Sequence, residues 1–474
     1  MQRFGLWIDG RWHETARWME VRSPYDGALV GMVSAGDVQH LQEAVQCANQ
    51  AMTHPMPAYQ RAEILSRAAQ LLEQRREHFA RTIALEAGKP IRTARIEVAR
   101  AVSTLIFAAV EARTLTGEMI PMSASPAGAG KFAFTIREPV GVVGAITPFN
   151  FPLNLVCHKV APALAAGCAV VLKPASTTPI TALLLAELFL EADLPRGWLN
   201  VIPGSGSEVG HALVEHPEVP LISFTGSVEV GQAIRARAVH KKVLLELGNS
   251  SPLLVFEDAD LQAAAQAVAT HGYSHAGQSC ISVQRVLVHE AVADAFEQLS
   301  TERVQALVVG DPLDEKTQVG PLITTADRDR VKAWIDEAVA AGARLLCGGE
   351  VEGTILKPTL LADVTPEMKV FCKEVFGPVV GISRFRTFDE AIALANATEY
   401  GLQAGVFTAS IHTAFETARR LQFGGVLINE APTFRTDQMP YGGVKASGNT
   451  REGPHYAVRE MTVERLVIVN GVGL

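Results

Sequence analysis

Cys280 stands in the segment His275-Ala276-Gly277-Gln278-Ser279-Cys280-Ile281-Ser282, among small and polar neighbours. An Ala-rich helical pattern precedes it and the β-branched run 283–288 follows, so a loop at this point presents the thiol to a cleft. Such a thiol is a candidate nucleophile, because the thiolate is the reactive form. The competing reading is that Cys280 only fills space, as free cysteines most often do. What separates the two is whether other reactive groups converge on it.

Between 141 and 247 the rhythm is one of short apolar runs, at 141–146, 169–172, 199–202, 221–224 and 243–247, alternating with helical patterns. Near-continuous apolar strands of this kind belong to a parallel sheet covered on both faces, and ligands bind outside the carboxyl ends of its strands. Those ends carry, in order, Thr147-Pro148-Phe149-Asn150-Phe151-Pro152, Lys173-Pro174-Ala175-Ser176, Gly204-Ser205-Gly206-Ser207-Glu208-Val209-Gly210, Thr225-Gly226-Ser227, and Glu246-Leu247-Gly248-Asn249. Any one of these turns is ordinary punctuation; five in succession form a binding edge.

A second α/β unit is expected from about 252 to 427, with strands at 253–256 and 283–288, and Cys280 belongs to it. Helical patterns fill 37–115, where the helices should pack on a sheet. The loose stretch 121–130, followed by an alternating strand at 131–137, reads as an excursion from the first domain, and 463–469 reads as a terminal strand whose edge needs a partner. At 474 residues the chain exceeds a single core. A net charge of −8 offers no basic stripe for nucleic acid and no cationic face for a membrane. The longest apolar run, 160–172, is interrupted by Pro162 and is too short to span a bilayer. Asp9 interrupts the N-terminal stretch before a signal-peptide core could form, so export is not expected. Six scattered cysteines without paired or metal-type spacing suit a reducing, cytoplasmic setting, with no disulfide and no metal. Small molecules are the expected ligands.

The segments Pro148-Phe149-Asn150-Phe151-Pro152, Leu172-Lys173-Pro174-Ala175, Phe224-Thr225-Gly226-Ser227, Leu245-Glu246-Leu247-Gly248, Gly277-Gln278-Ser279-Cys280, Glu374-Val375-Phe376-Gly377-Pro378 and Pro440-Tyr441-Gly442-Gly443-Val444-Lys445 follow one another in the order found in the aldehyde dehydrogenase superfamily. The chain resembles that family along nearly its whole length, in wording most like members acting on lactaldehyde, succinate semialdehyde or glyceraldehyde 3-phosphate. The resemblance implies an α/β fold with a Rossmann-like cofactor domain (1–119 and 141–248), an α/β catalytic domain (249–445) and a small β oligomerisation arm and tail (120–140 and 446–474), assembled as a homodimer or homotetramer. It implies that Cys280 adds to an aldehyde, that the Asn150 amide and the Cys280 N–H hold the oxyanion, and that Glu246 activates the water that releases a free carboxylic acid. Lys159 and Glu452 match positions that pass protons with Glu246. Ile146, Thr147, Pro148, Phe149, Lys173, Ser176, Gly206, Gly210, Phe224, Thr225, Gly226, Ser227, Leu247, Glu374 and Phe376 are expected to line the NAD or NADP site. Phe151, Leu155, His158, Ser279, Ile281, Arg435 and Tyr441 are expected to form the substrate pocket, with Arg435 a cation near its mouth.

One departure bears on the cofactor. NAD-preferring members carry Glu three residues after this lysine, where it repels a 2′-phosphate; here that position is Ser176, which admits NADP beside NAD. A rival reading, a cofactor-independent thiol esterase or acyl-transferase, uses the same cysteine without hydride transfer.

Overall fold

The computed structural model describes residues 2–471; Met1 and residues 472–474, at the outer limits of the cofactor domain and tail expected above, lie outside the described residues. The first sheet has seven strands in the order Lys242–Glu246, Leu221–Thr225, Val143–Ile146, Val170–Lys173, Leu199–Val201, Leu6–Ile8 and Arg11–His13. The first five are mutually parallel. Numbered along the chain they run 5-4-1-2-3, so the order reverses beside Val143–Ile146, where the loops following that strand and Leu221–Thr225 open a crevice. The N-terminal hairpin, which three-residue strands are too short to announce by alternation, adds two antiparallel strands at the far edge.

The second sheet is ordered Arg344–Cys347, Thr359–Ala362, Val379–Phe385, Val283–His289, Ser251–Val255, Gln403–Phe407 and Gly425–Ile428, parallel except for its first pair. Only residues 247–250 separate the last strand of the first sheet from Ser251–Val255. The carboxyl edge of one sheet is thereby joined directly to the amino edge of the other.

Each sheet has its own buried apolar core, one drawn almost entirely from residues 4–247 and the other from 253–431. The helix Asn154–Ala166 is buried at every position. It packs between strands of the first sheet and the helices Ile91–Thr114 and Pro454–Glu460, which explains its apolar character on all sides. Val38–Met52, capped by the Asp37 carboxylate, lies on the sheet. Ala58–Gln74 and Ile91–Thr114 instead pack chiefly on each other and on Asn154–Ala166, so part of the helical region expected to cover the sheet forms a second layer outside it.

A third sheet pairs Thr462–Asn470 with Lys131–Pro139 residue for residue, and Met119–Ile120 extends it. The partner needed by the terminal strand thus comes from the same chain on one edge, not from another subunit. Among the described residues no helix is long and apolar enough to cross a membrane.

Candidate active site

The chain reaches Cys280 through a left-handed run, with φ of 49° at His275, 54° at Ala276 and 70° at Gly277. A Cβ on Gly277 would lie 2.1 Å from the Gly377 carbonyl oxygen, so only glycine fits that step. The turn ends the helix Leu261–His271 and delivers the thiol at the amino edge of Val283–His289. Cys280 there packs against Ile281, Leu402 and Tyr441, a small apolar cluster separate from both main cores. Its Sγ is 2.9 Å from Tyr441 Oη. Burial pushes the thiol up to about 12, and the Tyr441 hydrogen bond pulls against that rise.

Asn150 follows the strand Val143–Ile146 and is buried. Its Nδ2 donates to the Gln278 carbonyl at 2.8 Å, two residues before Cys280, while Oδ1 has no partner. Gln278 is itself fixed, donating to the His275 carbonyl at 3.1 Å and accepting from Ile323 N at 2.9 Å. The first sheet's amide and the second sheet's thiol are therefore tied together through backbone.

Glu246 ends the strand Lys242–Glu246 with both carboxylate oxygens buried and unpartnered. It lies against Gly442, where a Cβ would come within 2.8 Å of Oε1. Glu452 receives the cations instead: Lys159 Nζ is 3.3 Å from its Oε1 and Arg435 Nη2 donates to its Oε2 at 2.9 Å. Lys159 also donates to Ser223 Oγ at 3.2 Å. Burial would raise Glu452, but Lys159 and Arg435 outweigh it and hold it down at about 2. Burial first, and then the charge of Glu452, push Glu246 well above the usual carboxylate range. Two facing carboxyl groups thus divide into a fixed anion and a proton acceptor, the separation that acid–base work requires.

The remaining loops of the first sheet line the crevice. Ile146 closes its strand, and Thr147 N donates to the Lys173 carbonyl across to the neighbouring one. Lys173 is buried, which alone draws its amine down to about 8, and it donates to the Pro174 carbonyl at 3.1 Å. Ser176 is exposed and donates to the Gly204 carbonyl at 2.9 Å. A Cβ at Gly206 would meet nothing within 4 Å, and one at Gly210 only Lys173 Cδ at 3.9 Å, so this face is open. Thr225 Oγ1 is buried without a partner, and Ser227 caps Val228–Arg237 just beyond Phe224 and Gly226. Pro148 and Phe149 border the same crevice, the Phe149 ring meeting Phe376 edge-on at 5.8 Å. Glu374 accepts from Asn249 N at 3.0 Å beside Leu247 and Gly248, and burial raises it to about 7.

On the other side of the thiol a cavity of about 660 Å³ is lined by Phe151, Ser279, Ile281 and Arg435. Leu155, His158 and Tyr441 stand outside its lining. Arg435 is not an exposed cation at a mouth: its side chain is 5% exposed, bound to Glu452 and stacked 3.6 Å over the Tyr441 ring. His158 Nε2 is buried 3.1 Å from Asp437 Oδ1, which also accepts from Arg100 at 3.0 Å. Burial would raise Asp437; the His158 bond and the charges of Arg100 and Arg435 hold it well below the carboxylate range.

Sequence reasoning missed Arg92, Arg100 and Arg303, which join Arg435 in the cavity wall, and Asp437 behind it. Arg92, Ile96 and Arg100 recur every fourth residue along Ile91–Thr114, a spacing that marks one helix face. Arg303 carries no such signal, since only the tertiary fold brings Glu290–Gln305 to the cavity.

A doubly wound nucleotide-type sheet facing a partly buried thiol, with a carboxyl group and an amide beside it, defines a class of enzyme. The chain matches the aldehyde dehydrogenase family over residues 11–467 and belongs to it. It is an NAD(P)-dependent enzyme that oxidises an aldehyde to a carboxylic acid. Among its relatives is 3-sulfolactaldehyde dehydrogenase of Priestia aryabhattai, 47% identical over 99% of this chain and 98% of that protein. Similar solved structures include aldehyde dehydrogenase 21 of Physcomitrella patens in complex with the reaction product succinate (TM-score 0.96, 36% identity, 100% and 99% of the two chains). Another is the glyceraldehyde-3-phosphate dehydrogenase GapN of Methanocaldococcus jannaschii complexed with NADP (TM-score 0.92, 40% identity, 96% and 100%).

Proposed function

We propose that Cys280 is the nucleophile of this oxidation and that the substrate is a small aldehyde bearing an anionic group. An aldehyde has no hydride to give until a nucleophile has added to its carbonyl. The Cys280 thiolate forms the S–C bond, the carbonyl pair moves to oxygen, and the Asn150 amide with the Cys280 N–H holds that oxyanion. NAD or NADP, when bound, accepts the hydride. Glu246 then takes a proton from the water that attacks the resulting thioester, and the acid leaves as the thiol is restored. Lys159 keeps Glu452 anionic beside Glu246, giving the proton a route away.

The cofactor residues fit a dinucleotide. Lys173 beside the open faces of Gly206 and Gly210 suits the adenosine side, the unpaired Thr225 hydroxyl and the Gly226-Ser227 turn suit the middle, and Glu374 with Phe149 and Phe376 suits the nicotinamide end. Ser176 adds no negative charge, which supports use of NADP as well as NAD. Six free thiols support a cytoplasmic setting.

The observation that carries the substrate class is the cavity wall. Arg92 and Arg303 line it without a carboxylate partner, Arg100 and Arg435 are bound to Asp437 and Glu452 behind it, and Glu97, the lone acidic side chain among its lining residues, is already paired with Lys89. Such a wall attracts a sulfonate, carboxylate or phosphate. An aldehyde panel with both cofactors tests this, beginning with 3-sulfolactaldehyde, succinate semialdehyde and glyceraldehyde 3-phosphate against neutral aldehydes of equal length. The anionic members should show the higher kcat/KM; preference for the neutral ones removes the substrate reading. Cys280→Ala should abolish oxidation while cofactor still binds. Ester hydrolysis without cofactor, and no aldehyde oxidation, would favour the thiol esterase instead.

A further inference from the structure

We infer that the Tyr441 hydroxyl is a catalytic group that stabilises the Cys280 thiolate by donating a hydrogen bond to it. The inference rests on Cys280 being the nucleophile. Tyr441 is 2% exposed, and its hydroxyl meets Cys280 Sγ at 2.9 Å. A buried phenol must find a partner, and here that partner is a thiol, one of the weakest available. If Tyr441 served only as an apolar wall, phenylalanine would pack equally well and bury no hydroxyl.

The direction of the bond follows from protonation. With a neutral thiol, either atom can donate. A thiolate has no hydrogen, so the phenol O–H must donate to it, and that bond is charge-assisted and stronger than the neutral one. The difference favours ionisation. Burial raises the phenol well above its usual pKa, so it stays protonated and able to donate. The Arg435 guanidinium, 3.6 Å over the ring, draws electron density from it and sharpens the donor.

Of the other charged groups facing the thiol, one favours its ionisation and two oppose it. Arg435 favours the thiolate, whereas Glu374 and Glu246 oppose it. Tyr441 is the neutral group that offsets part of that opposition without adding charge to the substrate site. In the step itself the proton leaves Sγ for the Glu246 carboxylate, whose two oxygens have no hydrogen-bond partner. The phenol keeps its own proton throughout and is released when the sulfur lone pair forms the S–C bond.

The test is the pH dependence of Cys280 alkylation by iodoacetamide, followed at that residue by peptide mass, in the wild type and in Tyr441→Phe. Loss of the bond should shift the alkylation profile up by about one pH unit and slow alkylation at neutral pH by about tenfold, the difference between a charge-assisted and a neutral bond. The KM for cofactor should stay unchanged while kcat/KM for aldehyde falls in proportion. An unshifted profile in a folded Tyr441→Phe enzyme overturns the inference and leaves Tyr441 a packing residue. Retained turnover in Cys280→Ala would instead overturn the assignment of the nucleophile, so the two failures are distinguishable.

Discussion

Glu246 has the least company of the residues around the thiol, and that isolation suits a base. Its unpartnered oxygens and raised affinity for protons support the proposal that hydrolysis of the thioester depends on it. Glu246→Gln should acylate Cys280 more slowly at neutral pH, because the Sγ proton must then leave to solvent, yet still give a burst of up to about one reduced cofactor per subunit, while steady turnover falls by about 10²–10⁴. Undiminished steady turnover would assign deacylation elsewhere. Ser176 makes a separate prediction for the cofactor. A carboxylate placed there in Ser176→Glu would face the 2′-phosphate, so KM for NADP should rise by at least about tenfold while KM for NAD changes little. Equal effects on both cofactors would place the phosphate away from this residue. Glu246, Asn150 and Lys173 were readable as a set because each closes or follows an apolar strand, and Cys280 because its small, polar loop precedes one. Arg435 was readable by type but not by setting, since its burial depends on Glu452 and Tyr441, which reach it only through tertiary packing.

Among the elements, the helix Ile180–Glu191 is capped across the fold. Its first two backbone N–H groups donate to Glu86, at 2.9 Å from Ile180 and 3.1 Å from Thr181, and the Thr181 hydroxyl donates to the same carboxyl. Burial raises Glu86 from 4.5 to about 7 in spite of these donors. Because the folded value lies above the unfolded one, the native state binds a proton that the unfolded chain releases. The stabilisation is complete below about pH 4.5 and is lost as pH rises through about 7. Glu86→Gln should flatten the fall of Tm over that interval, read by calorimetry; an identical slope would assign the dependence to other groups. The apolar strands and their order of appearance followed from sequence. The second helical layer did not, because a buried helix face looks the same whether it meets a sheet or another helix.

At the scale of the whole molecule, the terminal strand leaves apolar side chains exposed on both of its faces. The sheet formed by Thr462–Asn470 and Lys131–Pro139 leaves Val463, Leu466, Ile468 and Val469 exposed, beyond the edge satisfied within the chain. We propose that this arm joins subunits, as a dimer or tetramer in solution. Light scattering at micromolar concentration should report an oligomer, and replacing Leu466 and Ile468 together by Asp should reduce its size. A monomeric wild type would end this reading.

Sequence by itself determined that strands alternate with helices, that reactive side chains sit at strand ends, and that a single thiol lies in a loop of the second α/β unit. Strand patterns and turn residues are local, so neighbours in the chain are enough to reveal them. Which groups touch was decided only in three dimensions. The short link 247–250 sets the two sheets edge to edge, bringing Glu246 and Asn150 from one to Cys280 in the other. Helix packing carries Arg92 and Arg100 to the cavity, and the loop around Tyr441 closes on the thiol. Burial and charge pairing, which divide Glu246 from Glu452 and place a phenol on the Cys280 thiol, depend on contacts among residues distant in the chain.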